Sequence, residues 1–183
     1  MSMHRSLFCV TSLALLVGGN LARAESPNLG TPINPADIAG WDISVMPDGK
    51  GLPAGSGTPA QGQRIYAEKC IACHGEDGRG VSGATGAPLP PLFGGGKITD
   101  ISAAMKTIAN FWPYSTILFD YIRRTMPWTQ PRSLTDEEVY ALTAFILAKN
   151  RLIGDNDVMN AETLPKVRMP NREGFITRFP DKM

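Results

Sequence analysis

Cys70-Ile71-Ala72-Cys73-His74 is the stretch whose reading decides the fold. A Cys-x-x-Cys-His run is the attachment signature of c-type haem. Its parts divide the labour. The two sulfurs form thioethers to the haem vinyl groups, and the adjacent histidine supplies the proximal iron ligand. Two intervening residues let one helical turn aim both sulfurs at the same porphyrin edge. Taken alone, the same run also suits half of a zinc site or a redox dithiol.

The N-terminus bears on that choice. His4 and Arg5 give a basic start, Leu7 to Val17 is apolar, and Ala22-Arg23-Ala24 is a small-x-small cleavage sequence. Residues 1–24 therefore read as a secretory signal peptide. The apolar run is well short of the roughly 20 residues that span a bilayer, and no later stretch is apolar enough. The expected location is periplasmic, without a membrane span. Cleavage removes Cys9 and His4, leaving Cys70, Cys73 and His74 as the mature cysteines and histidine. A structural zinc site needs about four ligands, and no second Cys/His cluster exists to complete one. One covalently attached haem c is the expected cofactor. Cleavage also removes Arg5 and Arg23, so acidic and basic residues nearly balance. With no basic stripe to track phosphates, nucleic acid is excluded as a partner.

Around the motif the chain reads in three parts. Residues 25–57 are rich in Pro and Gly and form an extended N-terminal arm. Trp41, Ile43 and Val45 alternate with Asp42 and Ser44, which allows one short extended segment. Residues 58–149 carry helical signals. Thr58-Pro59-Ala60-Gln61 and Thr135-Asp136-Glu137-Glu138 are capping boxes, the first with Pro at N1. Gly62 and Tyr66 share a helix face, and the glycine allows a second helix to approach closely. Further helices are expected near Thr99–Asn110, with Ile101, Met105 and Ile108 on one face, and near Ser115–Thr125. Trp112-Pro113-Tyr114 separates them. The glycine-rich loop 75–96 holds Pro88, Pro90 and Pro91. Residues 150–183 return to an irregular tail. The fold class is all-α.

With haem bound, His74 is the fifth ligand, and with a second histidine not available the sixth is Met, Lys, an amine, water or nothing. The mature methionines are Met46, Met105, Met126, Met159, Met169 and Met183. Met126 is the preferred ligand. It lies between two helices in Thr125-Met126-Pro127-Trp128, where proline stiffens the segment. Met169-Pro170 repeats the pair and is the rival, while Met105 suits a helical core face. A thioether ligand favours reduced iron and suits one-electron transfer. A carbonyl within Pro88–Pro91 is a candidate to accept from the second nitrogen of His74, as metal-bound histidines generally require; the alternative is that these prolines only rigidify the loop. Trp112, Tyr114, Arg123 and Arg124 are candidates for the haem propionates.

Gly62-x-x-x-Tyr66, Cys70–His74, Pro90-x-Leu92-x-Gly94, Met126-Pro127 and the last helix with Leu142 and Phe145 resemble a class I cytochrome c over about residues 58–149. The resemblance implies three to five helices around one haem, Pro90 as the histidine's buttress and Met126 as the distal ligand. Trp41-Asp42-Ile43, the Pro47–Thr58 segment, Asn110–Tyr114, Phe119–Pro127 and Leu164–Arg172 are similar to the monohaem cytochrome subunit of sulfite/sulfane dehydrogenases, the SoxD-like group. That resemblance implies a molybdenum-containing dehydrogenase subunit as electron donor, a downstream cytochrome or oxidase as acceptor, and no catalytic residue in this chain. Longer members carry two haems, whereas this chain has one motif. The two flanks would then wrap the catalytic subunit. A freely diffusing electron carrier and a thiosulfate-oxidising haem enzyme are the alternatives.

Overall fold

Thr58 begins the first long helix by the means its sequence announces. Its hydroxyl accepts from the Gln61 N–H, and the Gln61 side chain accepts from the Thr58 N–H at 2.9 Å. The structure is a computed structural model and describes residues 29–81, 89–102 and 105–176; the expected signal peptide lies outside them. The chain divides into two units at Gly40–Trp41. Within the first, α1 (Pro35–Ala39) is capped by Asn34 and buries no residue.

The second unit holds α2 (Pro59–Lys69), α3 (Ile71–His74), α4 (Ile108–Phe111), α5 (Ser115–Thr125) and α6 (Asp136–Lys149). Strands β1 (Ser56–Gly57) and β2 (Met159–Asn160) form one short antiparallel pair, and a 3-10 turn covers Leu164–Lys166. This is the expected mainly helical, class I cytochrome c architecture.

Helix α6 is the hub. It is apolar nearly all round, and Val139 to Leu147 are buried without a break. A helix of that kind must be covered on every side. On one side lies α2. A Cβ on Gly62 would run into the carbonyl of Ala141 and sit 2.7 Å from the Phe145 Cβ. Glycine in a helix costs about 1 kcal/mol relative to alanine, and here it permits backbone-to-backbone contact. Tyr66 stacks on Phe145 at 5.1 Å, and Lys69 pairs with Glu138 at 2.5 Å. On another side lies α5, with Phe119 against Tyr140 at 4.5 Å and Arg123 paired with Asp136 at 3.1 Å.

The remaining cover comes from the irregular flanks. Gly57 of β1 also packs against the backbone of Ala141, and the Tyr140 hydroxyl donates to the Pro53 carbonyl at 2.9 Å. From the tail, Met159, Leu164, Val167 and Met169 are buried in the same core. Ser115 donates to the Leu164 carbonyl at 2.6 Å, and Asn171 to the Phe111 carbonyl at 2.7 Å. Residues 41–57 and 150–172 therefore serve as straps over this chain's own helices.

The helix expected over Thr99–Asn110 is corrected. Among the described residues of that stretch, helix begins only at Ile108 and runs to Phe111. Asp100 accepts from the Ser102 N–H at 2.8 Å, a local turn that competes with helix. Thr107 and Asn110 then form a capping box that starts the helix late. Met105, expected on a core face, is 65% exposed.

Candidate functional site

The site is built where α2 gives way to α3. Cys70 caps the end of the first and the start of the second. The His74 N–H donates to the Cys70 carbonyl at 2.9 Å and the Gly75 N–H to Ile71 at 2.8 Å. This single turn sets Cys70 and Cys73 three residues apart on one side. Both are free thiols, half-buried, and not joined as a disulfide. Burial pushes the Cys70 thiol up to about 11 against the opposing pull of Lys69. Burial also lowers the pKa of His74, favouring the neutral imidazole that binds metal.

Beyond the turn, the chain folds back on itself. Gly80 and Val81 donate their N–H groups to the carbonyls of His74 and Cys73 at 2.8 and 2.9 Å. Leu92 donates to Gly78 at 2.7 Å, which lays the Pro90 segment beside the ligand turn. Nδ1 of His74 is buried and has no hydrogen-bond partner among the described residues, so the bond expected from the proline segment to this nitrogen is not made there. Pro88 lies outside the described residues.

The loop after the motif is fixed by residues the sequence reading passed over. Asn150 accepts from the Gly94 N–H at 2.8 Å and donates to the Leu92 carbonyl at 3.0 Å. Thr107 donates to the Gly94 carbonyl at 2.8 Å. Polar residues next to a helix terminus were the available signal, but their partners lie far along the chain.

Met126 follows α5 directly and closes it with an N–H donated to Ile122. Its bond to Pro127 is cis. With Ile71, Leu92, Phe93 and Trp112 it belongs to the half-buried apolar side chains packed against the core. Met169, the rival, is enclosed by protein at 1% exposure. The propionate candidates have other partners here. Arg123 holds Asp136, and Arg124 holds Asp120 at 2.8 Å and the Ile43 carbonyl at 3.0 Å. Trp112 meets Tyr121, and Tyr114 lies under Arg172.

The cytochrome c family model matches residues 59–149. A chain in the solved structure of the sulfane dehydrogenase SoxCD from Paracoccus pantotrophus is similar over 86% of this chain and 73% of its own, with 39% identity and a TM-score of 0.73. The chain belongs to the cytochrome c family. It is also similar to thiosulfate dehydrogenases. That of Stutzerimonas stutzeri is 31% identical over 54% of this chain and 30% of its own length. That of Allochromatium vinosum is 30% identical over 67% of this chain and 40% of its own. This cytochrome thus spans less than half the length of those relatives.

A cytochrome c carries covalently bound haem c, and the residues present fit it. Two thiols not joined to each other stand one turn apart, and an imidazole that burial keeps neutral follows them. A wall of half-buried apolar side chains adjoins the core. No helix among the described residues is long and apolar enough to cross a membrane.

Proposed function

We propose that this cytochrome is an exported electron-transfer subunit. In this reading it takes single electrons from a molybdenum-containing subunit that oxidises a reduced sulfur compound, and passes them to a downstream cytochrome or oxidase. One observation carries the reading. The likeness to the SoxCD chain covers 86% of this chain, so it reaches well beyond the cytochrome domain at 59–149 and into the flanks.

Cys70 and Cys73 would hold the haem by thioether bonds, His74 would be the proximal ligand and Met126 the distal one. Bound haem supplies a one-electron Fe(III)/Fe(II) couple. The chain's part is to hold two ligands still. The His74 side is fixed by backbone hydrogen bonds to residues 80 and 81. Met126 is carried on the end of α5, whose Phe119 and Ile122 are anchored in the core. Met126 is favoured over Met169 because the Met169 side chain is already enclosed by protein. A thioether ligand raises the potential relative to a second histidine.

The arm that would reach a partner narrows to the residues before the straps. Leu29, Ile33 and Ile38 are exposed, as is Trp41 at the start of the second unit. Removing 29–40 should weaken the complex and leave the haem spectrum unchanged. Purified cytochrome mixed with sulfite or thiosulfate should stay oxidised until the molybdenum subunit is added. Reduction of the cytochrome alone by thiosulfate would favour a second reading, a haem enzyme like the thiosulfate dehydrogenases to which it is similar. Met126→Ala should abolish the weak far-red band of oxidised methionine-ligated haem, and Met169→Ala should keep it. The opposite pattern would move the ligand to Met169.

A further inference from the structure

We infer that Tyr66 is a positioning residue for the proximal histidine, acting through the carbonyl of Gly75. The inference rests on the assignment of His74 as a haem ligand.

Three successive carbonyls of the ligand turn are tied down. That of Cys73 accepts from the Val81 N–H at 2.9 Å and that of His74 from the Gly80 N–H at 2.8 Å. The Gly75 carbonyl accepts from the Tyr66 hydroxyl at 2.7 Å and, at a longer 3.3 Å, from the Gly78 N–H. The backbone that follows the motif thus reaches all three carbonyls. The shortest of these bonds is the one from a side chain reaching forward from α2, nine residues earlier. Gly75 has φ +73°, a left-handed conformation that glycine adopts without cost. It takes the Gly75 carbonyl out of the helical direction, where it meets Tyr66.

The aim of the hydroxyl is itself fixed. Tyr66 is 3% exposed. Its ring packs against Phe93 at 5.8 Å and Phe145 at 5.1 Å. Burial drives its pKa far above the ordinary tyrosine value, so the group stays a donor at any working pH.

Metal-binding histidines are ordinarily oriented by a hydrogen bond from the second ring nitrogen. For His74, Nδ1 makes none among the described residues. The backbone on either side of the ring is a second constraint on its orientation. Tyr66 is the side chain that connects that backbone to the α2–α6 crossing. It joins the ligand turn to a crossing where the two backbones touch at Gly62 and Ala141.

Tyr66→Phe keeps the ring packing and deletes the tie. In the haem-loaded oxidised protein, the pattern of hyperfine-shifted haem methyl signals reports the plane of the axial histidine. Tyr66→Phe should change that pattern. It should also speed exchange of the Gly75, Gly80 and Val81 amides by about fivefold, the opening that one hydrogen bond controls. Phe93→Leu disturbs the same ring cluster without touching the tie. It should lower the unfolding temperature and keep the methyl pattern. A Tyr66→Phe protein with wild-type pattern and exchange would overturn the inference while leaving the ligand assignment standing. Absence of a histidine-ligated haem in the wild type would overturn both.

Discussion

Residues 29–40 and residues 41–57 have similar Pro- and Gly-rich compositions and opposite fates. Every residue from 29 to 40 is exposed. In the next stretch Val45 and Leu52 pack on the core, Gly57 is buried and Pro53 accepts a hydrogen bond from Tyr140. Burial follows the partner available. The second stretch lies against α6, whose run Val139–Leu147 is buried without a break and is not covered by α2 and α5 alone. Irregular chain can cover a helix if its polar backbone groups are satisfied. The β1–β2 pair and the Tyr140 and Ser115 hydrogen bonds do that here.

The sharpest test compares two glycines. A Cβ on Gly57 would collide with the backbone of Ala141, whereas one on Gly40 meets nothing within 4 Å. Gly57→Leu should cost more than about 3 kcal/mol, because backbone cannot yield as a side chain can. Gly40→Leu should stay within about 0.5 kcal/mol. Urea denaturation of the haem-loaded protein measures both, and equal effects would erase the distinction between strap and arm.

Two leucines repeat the comparison with smaller effect. Leu164 is fully buried and Leu29 is 86% exposed. Leu164→Ala should destabilise by about 2–4 kcal/mol, and Leu29→Ala by no more than about 0.5 kcal/mol. Loss of affinity for a partner, with unchanged stability, is the expected signature of the second.

What could be read from the sequence follows the range of the interactions. The helices Pro59–Lys69, Ser115–Thr125 and Asp136–Lys149 were legible because their caps and breaks lie within four residues of one another. Gly62 and Tyr66 announced a close helix crossing by spacing alone. The turn from Cys70 to His74 was legible for the same reason. The straps were not. Nothing near Gly57 or Leu164 says that Ala141 or Ser115 waits for it, and a Pro/Gly-rich stretch reads alike whether covered or free. Thr99–Asn110 misled because its apolar spacing is helical while Asp100 and Thr107 bend the backbone locally. Asn150, which fixes the loop after the motif, looks like any residue ending a helix.

The tie between Tyr140 and Pro53 gives the strap a pH signature. Burial, reinforced by Asp136 and partly opposed by Arg123, pushes the Tyr140 hydroxyl up to about 12 from 10.0. The folded state thus favours the protonated form. The stabilisation is fully present below pH 10 and is lost as pH rises through about 12. Tyr140→Phe should cost about 1 kcal/mol at neutral pH and flatten that alkaline fall. Thermal unfolding between pH 8 and 12 (roughly the range in which tyrosine titrates) decides it. An undiminished alkaline fall in Tyr140→Phe would assign the effect to other groups.

The smallest effect belongs to a tie that the straps do not share. Glu138 caps α6 through Thr135 and pairs with Lys69 at the end of α2. Desolvation alone would raise its pKa. The Lys69 and Thr135 hydrogen bonds and the Lys69 charge outweigh that and hold it below 4.5. A carboxylate depressed in the folded state contributes stability above pH 4.5 that is lost as pH falls through its lower folded value. Both side chains are partly exposed, at 36% and 25%, so solvent screens the pair and about 0.5–1 kcal/mol is the expected cost of Glu138→Gln. Because Gln preserves a capping acceptor, the loss should shrink in high salt, where screening removes the ionic part. No loss in Glu138→Gln at low salt would make Glu138 a cap and nothing more. The crossing of α2 and α6 would then be held by Gly62, Tyr66 and Phe145 without help from charge.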